Sequence, residues 1–223
     1  MVMTDEDLRL DSALSDMPIF PLVEVTLFPR ALLPLHIFEP RYRAMLRRAL
    51  ETHKIIAIAN VPDPHDTDEH GHPRLSPVAG AGTIVEHRTL ADGRSNVVLR
   101  GVARVRLSEL PFVAPFRRAR ATLLRDTASG LAEEDRTALL AAATAFAGEV
   151  QKRDNAFTFR LPRSTEMAEL VDLFAQYLVE DPSARQSILE SSDVATRVRL
   201  VLTELALQSG RFTQKEDRER TLN

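Results

Sequence analysis

The densest set of possible metal ligands lies in residues 62–77, PDPHDTDEHGHPRLSP, which carry Asp63, His65, Asp66, Asp68, Glu69, His70 and His72. His-x-His beside carboxylates is a donor set that zinc or another divalent ion accepts. A working site also needs ligands held rigidly by partners of their own. This stretch is rich in Pro and Gly and has no apolar anchor, so it reads as a solvated acidic loop. A hydrolase would need a nucleophile, a base and an orienting group. No serine stands in a Gly-x-Ser-x-Gly elbow, and cysteine is absent. His36, among Pro34, Leu35, Ile37 and Phe38, reads as a structural histidine, His87 as part of ordered structure, and His53 as a residue that follows a helix end. Glu39 suits the positive start of a helix better than a functional pair with Arg41. No catalytic, cofactor-binding or metal residue is nominated, and no cofactor is expected.

Binding chemistry offers more. Phe112, between Pro111 and Val113, falls at an expected loop tip. Phe157 and Phe159, in NAFTFRLP, fall in a linker between two expected helices. Apolar side chains left outside a core mark binding surfaces when they cluster, so these three are the peptide-binding candidates, against a core-packing role for each. Arg100, Arg104 and Arg106 lie along one expected strand, and the period of two puts Arg104 and Arg106 on one side. They raise RNA binding as an alternative. The formal charge of −3 disfavours it, because phosphate binding wants a basic stripe. The 26 Arg against 3 Lys are spread along the whole chain, as on a solvated surface.

The elements that must position these residues follow from periodicity. The 223 residues suffice for one large domain or two small ones. Nine of the 13 prolines fall between Pro18 and Pro77, so the front half should be short strands and turns. Residues 19–23 and 32–37 read as extended. Pro40 opens a helix running to about residue 52, with Tyr42, Met45, Leu46 and Ala49 on its apolar face. Residues 55–61 form an apolar run of buried-strand length. Strands are expected at 78–90, 96–107 and 116–124, with a hairpin turn at Asp92-Gly93 and a bulge at Gly101. Together they suggest a small, partly closed barrel.

From residue 132 the period becomes 3.6. Leu139, Leu140, Ala143, Phe146, Ala147 and Val150 share one stripe. Ser164 is a plausible cap for a second helix and Asp181-Pro182 for a third. Ser192 or Asp193 should start the last helix, and Gly210 should stop it. The expected organisation is a flexible segment at 1–17, a β-rich subdomain at 18–127, a helical bundle at 128–211 and a polar tail at 212–223. The acidic start lacks the basic and apolar stretches of a secretory signal, and no window is long and apolar enough to cross a bilayer. A soluble, cytoplasmic protein is expected.

Three stretches carry a family resemblance. MPIFPLVEVTLFPRALLPLHIFEPRYRAM, GTIVEHRTLADGRSNVVLRGVARVRL and QSILESSDVATRVRLVLTELAL resemble, in order, the opening, the central hairpin and the closing helices of the Lon N-terminal substrate-binding domain family. The resemblance implies an α+β fold, a PUA-like pseudo-β-barrel followed by a C-terminal α-helical bundle. It also implies binding of unfolded or partly folded protein segments, with a separate protease as a second candidate partner. Because the sequence holds no Gly-x-x-x-x-Gly-Lys-Ser/Thr loop, the expectation is a non-enzymatic binding module without the ATPase and peptidase domains of full Lon proteases. The alternatives are an RNA-binding PUA-like module and a small metal-dependent hydrolase built on the 62–77 loop.

Overall fold

Residues 3–127, 130–159 and 166–221 are described in the computed structural model. The chain divides into two units, Met1–Arg125 and Asp126–Asn223.

The first unit begins with helix α1, Asp5–Ala13, where a flexible segment was expected. The difference has a local cause. The Thr4 hydroxyl accepts the Asp7 backbone N–H at 3.2 Å, and Asp7 Oδ2 accepts the Thr4 N–H at 2.9 Å. This reciprocal cap satisfies two orphan donors, and Asp5, Glu6 and Asp7 complement the helix dipole. Leu10 and Ala13 are then buried against the barrel interior.

Six strands follow: β1 Met17–Val23, β2 Leu32–Ile37, β3 Ile55–Val61, β4 Val78–Thr89, β5 Ser95–Glu109 and β6 Arg118–Leu124. The helix α2, Pro40–Glu51, lies between β2 and β3. The sheet order is β2-β5-β4-β3-β1-β6, and β5 also pairs with β6. That last pairing closes β5, β4, β3, β1 and β6 into a ring, with β2 added on the outside of β5. The length of β5 makes closure possible. Residues 95–100 hold β2, and residues 104–109 hold β6.

The barrel interior is narrow, so it is filled by small residues, Ala57, Ala59, Ala79, Ala81, Ala119 and Ala121, interleaved with Met17, Ile19, Ile55 and Val105. The expected bulge is present: Ala81 faces Ala103 but Gly82 faces Gly101, leaving Val102 as the extra residue. Glycine is required at Gly101 for another reason. A Cβ there would stand 2.0 Å from the Phe28 carbonyl oxygen. The 24–31 segment crosses the sheet at this point and buries Leu27 and Phe28.

The second unit contains α3 Glu133–Arg153, α4 Met167–Leu178, α5 Pro182–Glu190 and α6 Val194–Thr221. Every one of the other three helices packs on α6. Asp181 and Asp193 cap α5 and α6 by accepting the Ala184 and Thr196 N–H groups at 2.7 and 2.9 Å. The expected cap Ser164 lies outside the described residues.

The stop at Gly210 does not occur, and the polar tail expected at 212–223 is helical as far as Thr221. A glycine inside a helix costs about 1 kcal/mol relative to alanine. Packing on both sides offsets that cost. Gln208 is buried and bonds the Leu178 carbonyl and the Glu180 N–H at 2.8 and 2.7 Å. Beyond the glycine, Phe212 stacks on Phe146 with ring centroids 5.7 Å apart. Among the described residues no helix is long and apolar enough to cross a membrane.

Candidate functional site: an aromatic groove at the barrel seam

The barrel ring is weakest between β1 and β6. Only Met17 and Pro18 pair with β6, and the Ile19 N–H adds one bond to the Arg117 carbonyl. Beyond that point the strands part, and a groove of about 450 Å³ lies between them. One wall is Phe20, Pro21, Leu22 and Val23 of β1; the other is Pro115, Phe116 and Arg117. The end of β2 and the start of α2 add Leu35, His36, Phe38, Arg41 and Tyr42, and two loops add Pro64, His72, Pro73 and Phe112. Pro21 suits this open edge, since its missing N–H leaves no ladder bond unmade.

The walls are held by specific contacts. Phe20 and Tyr42 meet with centroids 4.4 Å apart, and the Arg41 guanidinium lies 4.6 Å over the Tyr42 ring. Glu39 holds Arg41 at 2.8 Å. Burial raises the Tyr42 phenol above its ordinary pKa, so it stays neutral at physiological pH. Arg117 donates to both Glu109 oxygens and to the Pro73 carbonyl.

The rim is apolar. Phe38 is 58% exposed, Val23 50% and Phe112 45%. Three large apolar side chains around one concavity form a patch rather than scattered exposure.

Of the three aromatic candidates, Phe112 lines this groove, its ring 4.5 Å from that of His72. Phe157 and Phe159 belong to the helical unit. They are half-buried and stack on each other with centroids 6.5 Å apart, and Phe159 packs on buried Phe174 at 5.7 Å. Phe38, Val23, Phe20 and Tyr42 were not nominated. Phe38 did carry a signal. It stands just before the helix cap, where an apolar residue usually staples to the fourth helical position. That position is Arg43, so the staple has no apolar partner.

Two carboxylates of the 62–77 loop are spent on its own backbone, and Asp66 pairs with Arg74 at 3.2 Å. Asp63 accepts the His65 N–H at 2.8 Å, and Asp68 accepts those of His70 and His72 at 2.8 and 2.9 Å. These bonds hold the Asp68 carboxyl below its ordinary pKa. Among the described residues no three His, Asp or Glu side chains are grouped to hold a metal ion. His36 Nδ1 lies 2.7 Å from Asn96 Oδ1, and His87 lies 3.2 Å from the Thr89 hydroxyl. The arginines of β5 do not make a stripe. Arg100 pairs with Glu6 at 2.7 Å, and Arg104 is buried with its guanidinium 5.8 Å from the Phe28 ring.

The family described as the ATP-dependent protease La (LON) substrate-binding domain matches residues 16–206. The chain belongs to this Lon substrate-binding domain family.

Full-length Lon proteases are among its relatives. "Lon protease 2" of Sorangium cellulosum is 28% identical over 205 residues, covering 86% of this chain. "Lon protease" of Roseiflexus castenholzii is 28% identical over 219 residues, and that of Escherichia coli K12 is 26% identical over 193. The chain spans only about a quarter of these relatives: 24%, 26% and 24% of their lengths. Two solved Lon N-terminal domains share the fold, each with a TM-score of 0.63. The Mycobacterium avium complex domain is 15% identical and the Xanthomonas campestris domain 21%, and the chain covers 98% of each. The α+β architecture expected from the Lon resemblance, strands first and helices after, is the one found.

Proposed function

We propose that this chain is a non-catalytic protein-binding module, and that the groove at the barrel seam is where it takes an apolar stretch of an unfolded or partly folded protein. The observation that carries the reading is the ring of half-exposed Phe38, Phe112 and Val23 around a concavity of about 450 Å³. Concave, mostly apolar sites with a few fixed polar groups are where ligands are held. The substrate-binding description of the family supports the same reading. In the 62–77 loop Asp63 and Asp68 are committed to backbone N–H groups, which favours binding over metal-assisted hydrolysis there. The cysteine-free composition suits a reducing, cytoplasmic setting. A separate protease that receives the bound segment is part of the proposal.

The test is a titration of the protein into a fluorescently labelled, permanently unfolded model protein, read by anisotropy. Saturable binding at micromolar concentrations, with none for the folded form of the same protein, is the expected result. Equal or absent binding of both forms at tens of micromolar would reject the reading.

A further inference from the structure

The four arginines of α2 divide into two pairs. Arg41 is held by Glu39 and Arg48 by Asp16. Arg43 and Arg47 stand four residues apart and therefore share a helix face. They line a second depression on the barrel unit, about 230 Å³, together with His87, Leu46 and Leu50. Among the described residues no carboxylate lines it. Among the described residues, neither guanidinium has an ion-pair partner. The hairpin turn is shaped to receive one of them: Gly93 has φ +80°, and a Cβ there would stand 2.2 Å from Arg43 Nη2. The guanidinium lies directly against this turn, over the face where a side chain would project.

An open depression of about 520 Å³ shares Leu35 and His36 with the groove and His87 with the basic depression.

We propose that the segment the groove takes is an apolar stretch flanked by acidic residues, with a carboxylate held in the forks of Arg43 and Arg47. This rests on the groove being the protein-binding site, and it names the class of segment. Two guanidiniums side by side present paired donors to a carboxylate. Half-buried Leu50 beside them accepts the methylenes that carry it. Phosphate would satisfy the same forks, but a nucleic acid needs a longer basic stripe. With Arg100 paired to Glu6 and Arg104 buried, β5 does not extend one.

The experiment compares labelled peptides of one length: an aromatic core with Glu at both ends, the same core with Gln at both ends, and a Glu-rich peptide without the core. A single-stranded RNA of similar length is the fourth probe. Each is titrated against the wild-type chain, Arg43→Gln/Arg47→Gln and Arg43→Lys/Arg47→Lys. The wild type should bind the Glu-flanked core about fivefold more tightly than the Gln-flanked core, the scale of a partly exposed ion pair. The difference should shrink in about 0.5 M salt, because such pairs are screened. It should vanish in the double Gln variant and survive in part in the double Lys variant. Arg47→Gln alone, at an exposed position, should halve the effect or more and serves if the double variant does not fold.

Equal affinity for the two cored peptides would overturn the acidic-flank proposal and leave the groove standing. Failure of both cored peptides to bind would remove the groove reading and the proposal with it. RNA binding that is lost in the double Gln variant would assign the site to phosphate and overturn the proposal.

Discussion

Arg117 grips Glu109 with two hydrogen bonds, Nε to Oε2 at 2.8 Å and Nη2 to Oε1 at 2.7 Å. The same guanidinium reaches the Pro73 carbonyl at 2.6 Å. One side chain therefore ties together the loop that carries His72 and the base of the loop that carries Phe112. Bonds to a charged donor of this kind contribute about 2 kcal/mol. Arg117→Ala should lower stability by about that amount and weaken peptide binding further than the stability loss explains. Arg117→Lys, which lacks the fork, should recover stability in part but not binding. Urea unfolding and anisotropy on the same preparations separate the two effects.

Phe38→Ala and Phe112→Ala remove exposed side chains, so each should leave unfolding free energy within about 0.5 kcal/mol of wild type. Each should weaken binding of an aromatic peptide by about 1 kcal/mol or more, since buried aromatic anchors dominate interfaces. Phe159→Ala should do the opposite, lowering stability through its contact with Phe174 while leaving the affinity of the folded fraction unchanged.

His53 gives stability a defined pH dependence. Its Nδ1 accepts the Ile55 N–H at 3.1 Å. Burial, and after it the charge of Arg48, lowers its pKa below the ordinary 6.5. The unfolded chain thus binds a proton more readily than the folded one. The contribution is fully present above pH 6.5 and is lost as pH falls through the folded-state value. Urea midpoints should be flat from pH 8 to 7 and drop toward pH 5. In His53→Asn that drop should be reduced. The lowered carboxyl groups Asp7, Asp68 and Asp92 act in the same direction but in the more acidic window below the ordinary carboxyl value of 3.8.

In the helical unit, Arg197 has no exposed surface. It holds Asp126 at 2.6 and 3.0 Å, and its Nε stands 3.3 Å from Asp172. Arg197→Ala removes the buried guanidinium that stands against both Asp126 and Asp172, a loss on the order of 3 kcal/mol. Calorimetry should show the helical unit melting earlier. A better-packed double variant, Arg197→Met/Asp172→Leu, should recover much of that loss, because buried pairs can be replaced by apolar volume.

Sequence reasoning succeeded wherever one residue's chemistry decided the local geometry. Pro40 and Asp181-Pro182 begin helices, the apolar run at 55–61 is a strand buried throughout, and Gly101 marks a bulge. It failed where a competing term was misjudged. The acids after Thr4 argue against a secretory leader, but Thr-x-x-Asp is also a helix-start signal, and the cap it makes outweighs the polarity of the segment. Gly210 has the propensity of a helix stop, but Gln208 and Phe212 anchor the helix on either side of it. The groove was the least legible feature. It exists because β6 leaves β1 after two residues, and such a register difference is invisible in either strand alone. Phe112 could be nominated from its loop position. Phe38, Val23 and Tyr42 join it only after the barrel closes.

The most direct measurement is a methyl and aromatic NMR titration of the chain with an aromatic-cored peptide. Binding in the groove predicts saturable shift changes at Val23, Phe38, Tyr42 and Phe112, with Phe157 and Phe159 unmoved. Shifts confined to the helical unit, or saturable binding that leaves those four groove residues unperturbed, would contradict it.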